Sequence, residues 1–528
     1  MSHGTHDDHL QTINNIRSVS KKINQEIAVL LDLQGPKIRV DKLKSNLNLE
    51  KDELWVIGKS LPDELNSEFA DKFIPTTYEK LVDDAKLGGR VLFDDGLLEA
   101  KAVDRVEGLL KIKVITGGVL KSNKGINLPD SNISAPSLTE KDEQDLYFGL
   151  KNNVDYVALS FVRTKDCIKK VKLILHKLKI NTPIIAKVER PEAIDNIDEI
   201  IEISDVIMIA RGDMAVEIGS QLVPGVQKDI IKKCNVKGVP VITATQMLES
   251  MIQNSRPTRA EASDVANAIW DGTDAVMLSG ETAAGEYPVA SVKMMDEIIL
   301  EAEKSPLERP LIRNMNLNSV SASIQVAASM IAEKVDASWI ISVTQSGGSC
   351  LKMSRFRPKK PVLGVTNSTS VMRKMCLYWG ITPYLFDQDN PDMENLEYEM
   401  LRLIVEHKLV KRGEKVVINR GDGKFFSRES SNTIRVETVV DNDRIASNIG
   451  GGELAEANTG KGKILLDLDL CASCQNCVSV CPHNIWEVSP LSSKKTLLNE
   501  ENAKQCEMDM ECVQICPTGA IEIFSDDL

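Results

Sequence analysis

In this chain of 528 residues, the side chains best suited to chemistry stand at the ends of short apolar runs. The run PIIAKVE from Pro183 closes on Lys187 and Glu189, which the two-residue period of a strand puts on one face. The next, SDVIMIA from Ser204, leads into Arg211, Gly212 and Asp213, offering a carboxylate and the backbone N–H groups around Gly212. A third, VPVITAT from Val239, sets Thr243 and Thr245 on one face. Glu189 with Asp213 supplies two hard oxygen ligands, suited to a Mg²⁺ ion that keeps waters and takes its other ligands from substrate. An ammonium beside such an ion would stabilise a developing oxyanion or a transferring phosphoryl group. Taken alone, Lys-Val-Glu reads as a buried ion pair at the mouth of a sheet. Three consecutive strands converging on one end favour the chemical reading.

The elements that must position these groups are visible as a rhythm. Between residues 153 and 300, five near-continuous apolar runs begin at Val154, Pro183, Ser204, Val239 and Asp274. Such runs fit parallel strands covered on both faces. Segments with helical spacing, such as 193–203 and 259–269, lie between them, and IAVLLDL from Ile27 fits the same series. This is repeated β–α, with polar residues at the C-terminal strand ends, where a (β/α) barrel carries its active site. Residues 41–133 break the rhythm with charges, short alternating runs and turns at Asp94-Asp95-Gly96 and Asn123-Lys124-Gly125, and read as an inserted β domain. Residues 310–440 return to α/β alternation as a separate doubly wound domain, and the glycine-rich, aromatic-free 441–462 reads as a linker.

Composition narrows the function classes. A net charge of −13 argues against nucleic acid and anionic lipid as partners, and 4% aromatics leaves few stacking platforms. No apolar run approaches a membrane span, and MSHGTHDDH has neither a basic n-region nor an apolar h-region. Seven of the eleven cysteines fall in the last 58 residues, which in a chain without an export signal reads as metal binding in a reducing, cytoplasmic setting. The other four, Cys167, Cys234, Cys350 and Cys376, read as packed small hydrophobes.

Longer stretches carry a resemblance. LDLQGPKIR from Leu31, KGINLP from Lys124, ALSFVR from Ala158, IAKVE from Ile185, IARGDMAVE from Ile209, TATQMLESM from Thr243, RPTRAEASDVANA from Arg256 and DGTDAVMLSGETAAGEYP from Asp271 resemble the pyruvate kinase family, in order. The resemblance extends to about residue 440. It implies a (β/α)₈ barrel (1–40 and 134–305), a β-barrel cap domain (41–133) and an α/β regulatory domain (306–440), assembled as a homotetramer. It implies phosphoryl transfer from phosphoenolpyruvate to ADP with Mg²⁺ or Mn²⁺, giving pyruvate and ATP. By position, Lys187 would neutralise the phosphoryl group and the enolate oxygen, and Glu189 and Asp213 would hold the metal. Thr245 would contact substrate and help proton delivery. Ser160 and the backbone of Gly212 and Asp213 would hold phosphoenolpyruvate, and Arg39, His3 and Lys124 would face the nucleotide phosphates. Potassium-dependent members resemble Leu-Asp-Thr-Lys-Gly-Pro-Glu-Ile-Arg-Thr, whereas this chain has Leu33, Gln34, Lys37 and Val40. The Lys37 ammonium would supply the missing charge, so potassium is not expected to be required. TQSGGS from Thr344 before SRFRPKK from Ser354 resembles the family's effector loop, for a sugar phosphate or nucleotide.

One departure concerns the first strands. The family begins with a strand, a helix and a second strand ending in Arg-x-Asn-x-Ser-His-Gly, and this chain begins Met1-Ser2-His3-Gly4, inside that motif. Two strands, a phosphate-clamping arginine and an asparagine are therefore expected upstream, in a stretch of about 30 residues. The first explanation is a start codon assigned at an internal methionine, and the alternative is a shortened, catalytically impaired scaffold.

The terminal cysteines form CASCQNCVSVCP from Cys471, the C-x₂-C-x₂-C-x₃-C-P run of bacterial ferredoxins. A second copy, CEMDMECVQICP from Cys506, has Asp509 where a cysteine belongs. The crossed pattern gives one [4Fe–4S] cluster to Cys471, Cys474, Cys477 and Cys516. The other takes Cys506, Cys512 and Cys481, as a [3Fe–4S] cluster or a [4Fe–4S] cluster with Asp509 on a labile iron. A small α+β ferredoxin-type domain is expected over 463–528. Its five lysines and eleven acidic residues over 461–528 suit a basic redox partner protein. The kinase reaction needs no electrons, so the module would regulate or localise the enzyme, or else carry electrons on a scaffold.

Overall fold

The structure is a computed structural model, which describes all residues except 63–68, 70, 306–318, 387–395, 412, 422–430, 440–453, 460, 468–470, 472–475, 489–495, 508–510, 517, 519 and 526–528. Two compact units are present, one of residues 1–393 with 416–436 and one of 394–415 with 437–528.

The first unit is organised on six parallel strands, Leu30–Asp32, Tyr156–Leu159, Ile184–Val188, Val206–Ala210, Val241–Ala244 and Ala275–Met277, paired in chain order. Their Val, Ile, Ala and Met side chains are buried on both faces of the central strands, which is why these runs lack the polar alternation of a half-exposed sheet. Helices such as Lys165–Lys177, Val223–Lys237 and Arg259–Asp271 separate consecutive strands. Among the described residues no pairing joins the first strand to the last, so the sheet is an open half-barrel. Capping boxes start the flanking helices: Thr139 with Asp142 opens Glu140–Lys151, and Thr258 with Glu261 opens Arg259–Asp271.

A mostly antiparallel six-stranded sheet, with a further two-stranded ribbon, lies between residues 47 and 127 over its own apolar core. Bridges Arg39–Gly125 and Val40–Thr76 join its base to the chain leaving the first barrel strand. After the half-barrel, strands Trp339–Val343, Val362–Thr366, Ile381–Leu385, Lys415–Arg420 and Thr433–Thr438 form one sheet whose first four members are parallel. Cys167, Cys234 and Cys350 are buried, but Cys376 is exposed. It ends a short docking helix rather than filling a core.

In the second unit, strands Leu454–Asn458, Gly462–Asp467 and Ile521–Ser525 form an antiparallel sheet, and Trp486–Val488 pairs with Thr496–Leu498. Short helices Asn476–Val480 and Glu511–Ile515 carry part of the cysteine runs. Residues 454–458, within the stretch read as a linker, are therefore a strand. Backbone pairing with 462–467 overrides their Ala/Glu/Asn composition. Residues 440–453 lie outside the described residues.

Candidate active site

All six strands end on one rim, and the chemistry-bearing residues lie at or just past five of those ends. Lys187 is the next-to-last residue of its strand, and Glu189 lies one past the end. The Lys187 ammonium is 2.8 Å from Ser160 Oγ, 3.1 Å from Glu189 Oε1 and 3.2 Å from Asp32 Oδ1. Burial pulls its pKa down, but the carboxylates of Glu189 and Asp32 outweigh that and hold it above the usual lysine range. Glu189 is fully buried and accepts from the Phe161 N–H at 2.8 Å. Burial pushes its carboxyl up; Lys187 opposes this and nearby Asp213 adds to it. Lys187 is thus a fixed cation, and Glu189 is a carboxylate that a second positive charge would stabilise further.

Asp213 sits in the first turn of helix Arg211–Ile218, 3.9 Å from the Lys37 ammonium. Lys37 is carried there by a turn at Gly35, whose N–H is held by buried Asp142 at 3.0 Å. Gly35 has φ +69°, and a Cβ there would lie 2.8 Å from the Phe161 ring, so only glycine lets the turn pack. Ser160 donates to the Leu33 carbonyl at 2.7 Å while accepting from Lys187, which fixes the hydroxyl proton away from the ammonium.

The backbone is strained where the strands hand over to this rim. Phe161, Thr245 and Gln246 have φ of 53°, 69° and 53°, and for a β-branched threonine that is a genuine outlier. Arg211 over-determines the conformation, donating to the Thr245 carbonyl at 2.8 Å and pairing with Asp264. Thr245 Oγ1 in turn accepts from the Gly212 N–H at 2.7 Å. Thr243 does not join it: the strand ends at Ala244, and Thr243 is buried against Thr273.

Arg39 donates to the Asn123 carbonyl at 2.9 Å, beside Lys124, which pairs with Asp94 at 2.7 Å. His3 is exposed ahead of helix His6–Ile23 and shares no hydrogen bond with either among the described residues. Asp32, Arg211 and the strained Phe161 were missed as site residues. The signal for Asp32 was an acid closing the apolar run IAVLLDL.

Asp32, Glu189 and Asp213 against Lys187 and Lys37 leave one net negative charge on the rim, which suits a divalent cation. Among the described residues no three His, Cys, Asp or Glu side chains are gathered to hold a metal ion. Glu189 and Asp213, the two carboxylates expected to hold a metal, lie close enough for the Asp213 charge to raise the Glu189 carboxyl.

In the second unit, Cys471, Cys477 and Cys516 line one pocket with Thr496. Cys481, Cys506 and Cys512 line another with His483. Burial raises the Cys477 thiol pKa, and Cys471 and Cys516 add to that. Cys474 and Asp509 lie outside the described residues. Among the described residues no helix is long and apolar enough to cross a membrane.

A parallel α/β half-barrel with ionised side chains gathered at its C-terminal strand ends has the layout of a (β/α)-barrel enzyme. A family model described as pyruvate kinase, barrel domain, matches residues 1–292, and one described as pyruvate kinase, alpha/beta domain, matches 322–437. A pyruvate kinase of Geobacillus stearothermophilus is 41% identical over 451 residues, covering 83% of this chain and 75% of that protein. One of Staphylococcus epidermidis is 39% identical over 459 residues, covering 86% and 77%. One of Staphylococcus aureus is 39% identical over 457 residues, covering 85% and 77%. The chain belongs to the pyruvate kinase family and is a phosphotransferase.

Proposed function

We propose that the chain transfers the phosphoryl group of phosphoenolpyruvate to ADP, giving pyruvate and ATP. The observation that carries this reading is the Lys187 ammonium, held on the rim within 3.3 Å of Asp32, Ser160 and Glu189. Glu189 and Asp213 would hold Mg²⁺ or Mn²⁺, which when bound would neutralise phosphate charge and orient the substrate. Lys187 screens the phosphoryl group in flight and the enolate oxygen left behind, without reorganising. The Gly212 and Asp213 backbone and Ser160 position phosphoenolpyruvate. Thr245 Oγ1, fixed by the Gly212 N–H, is the hydroxyl through which a proton reaches the enolate carbon. Arg39 and Lys124 face the nucleotide phosphates from the base of the cap, with His3 completing that set.

Lys37, 3.9 Å from Asp213, supplies the charge that potassium brings elsewhere in the family. Steady-state turnover of phosphoenolpyruvate and ADP with sodium or tetramethylammonium as the sole monovalent cation tests this; strict potassium dependence refutes it. The domain limits are those read from the sequence, except that the last domain begins at residue 454, with a homotetramer in the cytoplasm and a sugar-phosphate or nucleotide effector at residues 344–360.

Residues 463–528 are proposed to bind two iron–sulfur clusters. The reading is supported by the way six cysteines divide between two pockets as the crossed pattern requires. Cys474 would complete the first site, and Asp509 or an open corner the second. Electron paramagnetic resonance of anaerobically purified protein should show both clusters, and a single [4Fe–4S] signal counts against the second.

A further inference from the structure

Behind the rim lies a second charged cluster that the phosphoryl-transfer chemistry leaves unused. Arg190, next to Glu189 in the chain, directs Nη1 to Glu217 Oε1 at 3.0 Å. Both residues are at least 95% buried, so this is an ion pair taken out of water rather than a surface contact. Glu217 stands four residues after Asp213 on helix Arg211–Ile218, one turn along the same face. The pair therefore bridges the two segments that bring Glu189 and Asp213 to the rim. Asn127, the last residue of a cap strand, donates to the same Glu217 oxygen at 2.8 Å. Arg190 Nη2 donates to the Ser131 carbonyl at 3.1 Å, on the chain returning from the cap. Arg190 also meets Glu192 at 3.3 Å.

Burial of such a pair is a poor way to gain stability, because desolvation offsets most of the attraction. Its geometric effect is specific. Arg190 spends Nε and Nη2 on Glu192 and the Ser131 carbonyl and Nη1 on Glu217, so the planar guanidinium ties the helix to the strand end in one orientation. Arg190 and Asn127 both hold Glu217 through one oxygen, the other being buried without a partner among the described residues. A metal held by only two carboxylates depends on their spacing, because it has no further protein ligand to correct it.

We propose that the Arg190–Glu217 ion pair, braced by Asn127 and Ser131 from the base of the cap, is a positioning device that sets the spacing of Glu189 and Asp213. It rests on the reading of those two carboxylates as the divalent-metal pair. The test is binding of Mn²⁺ alone to the full chain, read from the free-ion paramagnetic resonance signal, alongside steady-state kinetics with Mg²⁺. Glu217→Gln and Arg190→Met should each weaken Mn²⁺ binding about tenfold, the loss typical of groups that orient metal ligands. The Mg²⁺ concentration for half-maximal rate should rise by the same factor, with kcat at saturating Mg²⁺ falling much less. Arg190→Lys, which keeps the charge, should recover most of the affinity. The double variant Arg190→Met with Glu217→Leu leaves no fully buried charge unpaired, Glu192 being partly exposed, and covers the case in which a single variant fails to fold. It should bind Mn²⁺ as weakly as the singles. Folded variants that bind Mn²⁺ like the parent overturn the proposal. If Glu189→Gln and Asp213→Asn also leave binding unchanged, it is the metal reading that has failed.

Discussion

At the C-terminal ends of the six barrel strands, Phe161, Thr245 and Gln246 are bent into left-handed backbone and the charges face a rim that solvent reaches. At the N-terminal ends the charges are tied to the backbone, those of Asp155 and Asp274 buried and that of Asp205 exposed. Asp155, Asp205 and Asp274 each precede a strand directly, and each carboxylate accepts the N–H of a residue on the neighbouring strand's segment: Val29, Ile184 and Val241. Arg17 and Arg357 then pair with Asp155 and Asp274 at 2.7 Å. The α/β domain adds Tyr156 to the Lys374 carbonyl at 2.6 Å and Arg373 to Glu26 at 2.7 Å. One end spends its polar groups closing the sheet; the other pairs them with one another beside strained backbone, with Asp32, Asp213 and Lys37 open to solvent. The same strands can thus be rigid below and reactive above.

The sharpest way to break this contrast is to remove the central cation of the rim. Lys187→Met should lower kcat/KM about 10³-fold, the scale of losing a preorganised charge at a developing oxyanion. The thermal midpoint should hold, because Glu189 can protonate when its partner is gone. A variant that unfolded without losing activity per folded molecule would make Lys187 a structural residue.

Arg357→Met probes the opposite end. The guanidinium is buried with Asp274, donates to the Gly272 carbonyl at 2.8 Å and lies 4.9 Å from the Trp379 ring centroid. Its loss strands a buried carboxylate, which should cost about 3 kcal/mol of stability, seen as a lower thermal or urea midpoint. Turnover of the protein that remains folded should be unchanged. A drop in kcat at full folding would show that the two ends are coupled.

How far the sequence revealed this arrangement depends on the range over which each feature is encoded. Strands such as Ile184–Val188 and Val206–Ala210 were legible because double-sided burial writes itself as a continuous apolar run. Lys187, Glu189 and Asp213 could be placed on one rim because all three lie at or just past the C-terminal ends of such runs. Thr243 was misplaced beside Thr245 because a period-two rule assumes that the strand continues, and the left-handed turn at Thr245 leaves no local trace. The pairing of Arg190 with Glu217 joins positions 27 residues apart and is set by the packing of a helix on a strand. The strand Leu454–Asn458 escaped notice because it is held by backbone pairing and not by an apolar face of its own.

Thr245 separates strain from stability more finely. Thr245→Gly removes a left-handed β-branched residue, a relief of roughly 1–2 kcal/mol. It also removes the hydroxyl that accepts from Gly212, a loss of about 1 kcal/mol. The two should nearly cancel, leaving the thermal midpoint within a few degrees while kcat falls. A large destabilisation instead would mean that the hydroxyl, like the aspartates at the other end, serves the fold first.

The smallest expected effect lies in the cap and shows which acid sensitivity belongs to neither end. Glu53 accepts from Lys72 at 2.9 Å, the Trp55 indole at 3.0 Å and the Glu50 N–H at 3.1 Å, and these hold its pKa at about 2 against an ordinary 4.5. A depressed folded value means that the unfolded chain takes up the proton first. The contribution is therefore complete above pH 4.5 and is lost as pH falls from 4.5 towards about 2. The carboxylate is exposed, so the change is modest and is screened by salt. Glu53→Gln should flatten the acid limb of the cap's unfolding curve, followed by Trp55 fluorescence, and leave the neutral-pH rim chemistry untouched. If acid unfolding is identical in the variant, Glu53 does not set the limb, and the acid sensitivity of the cap lies in other groups.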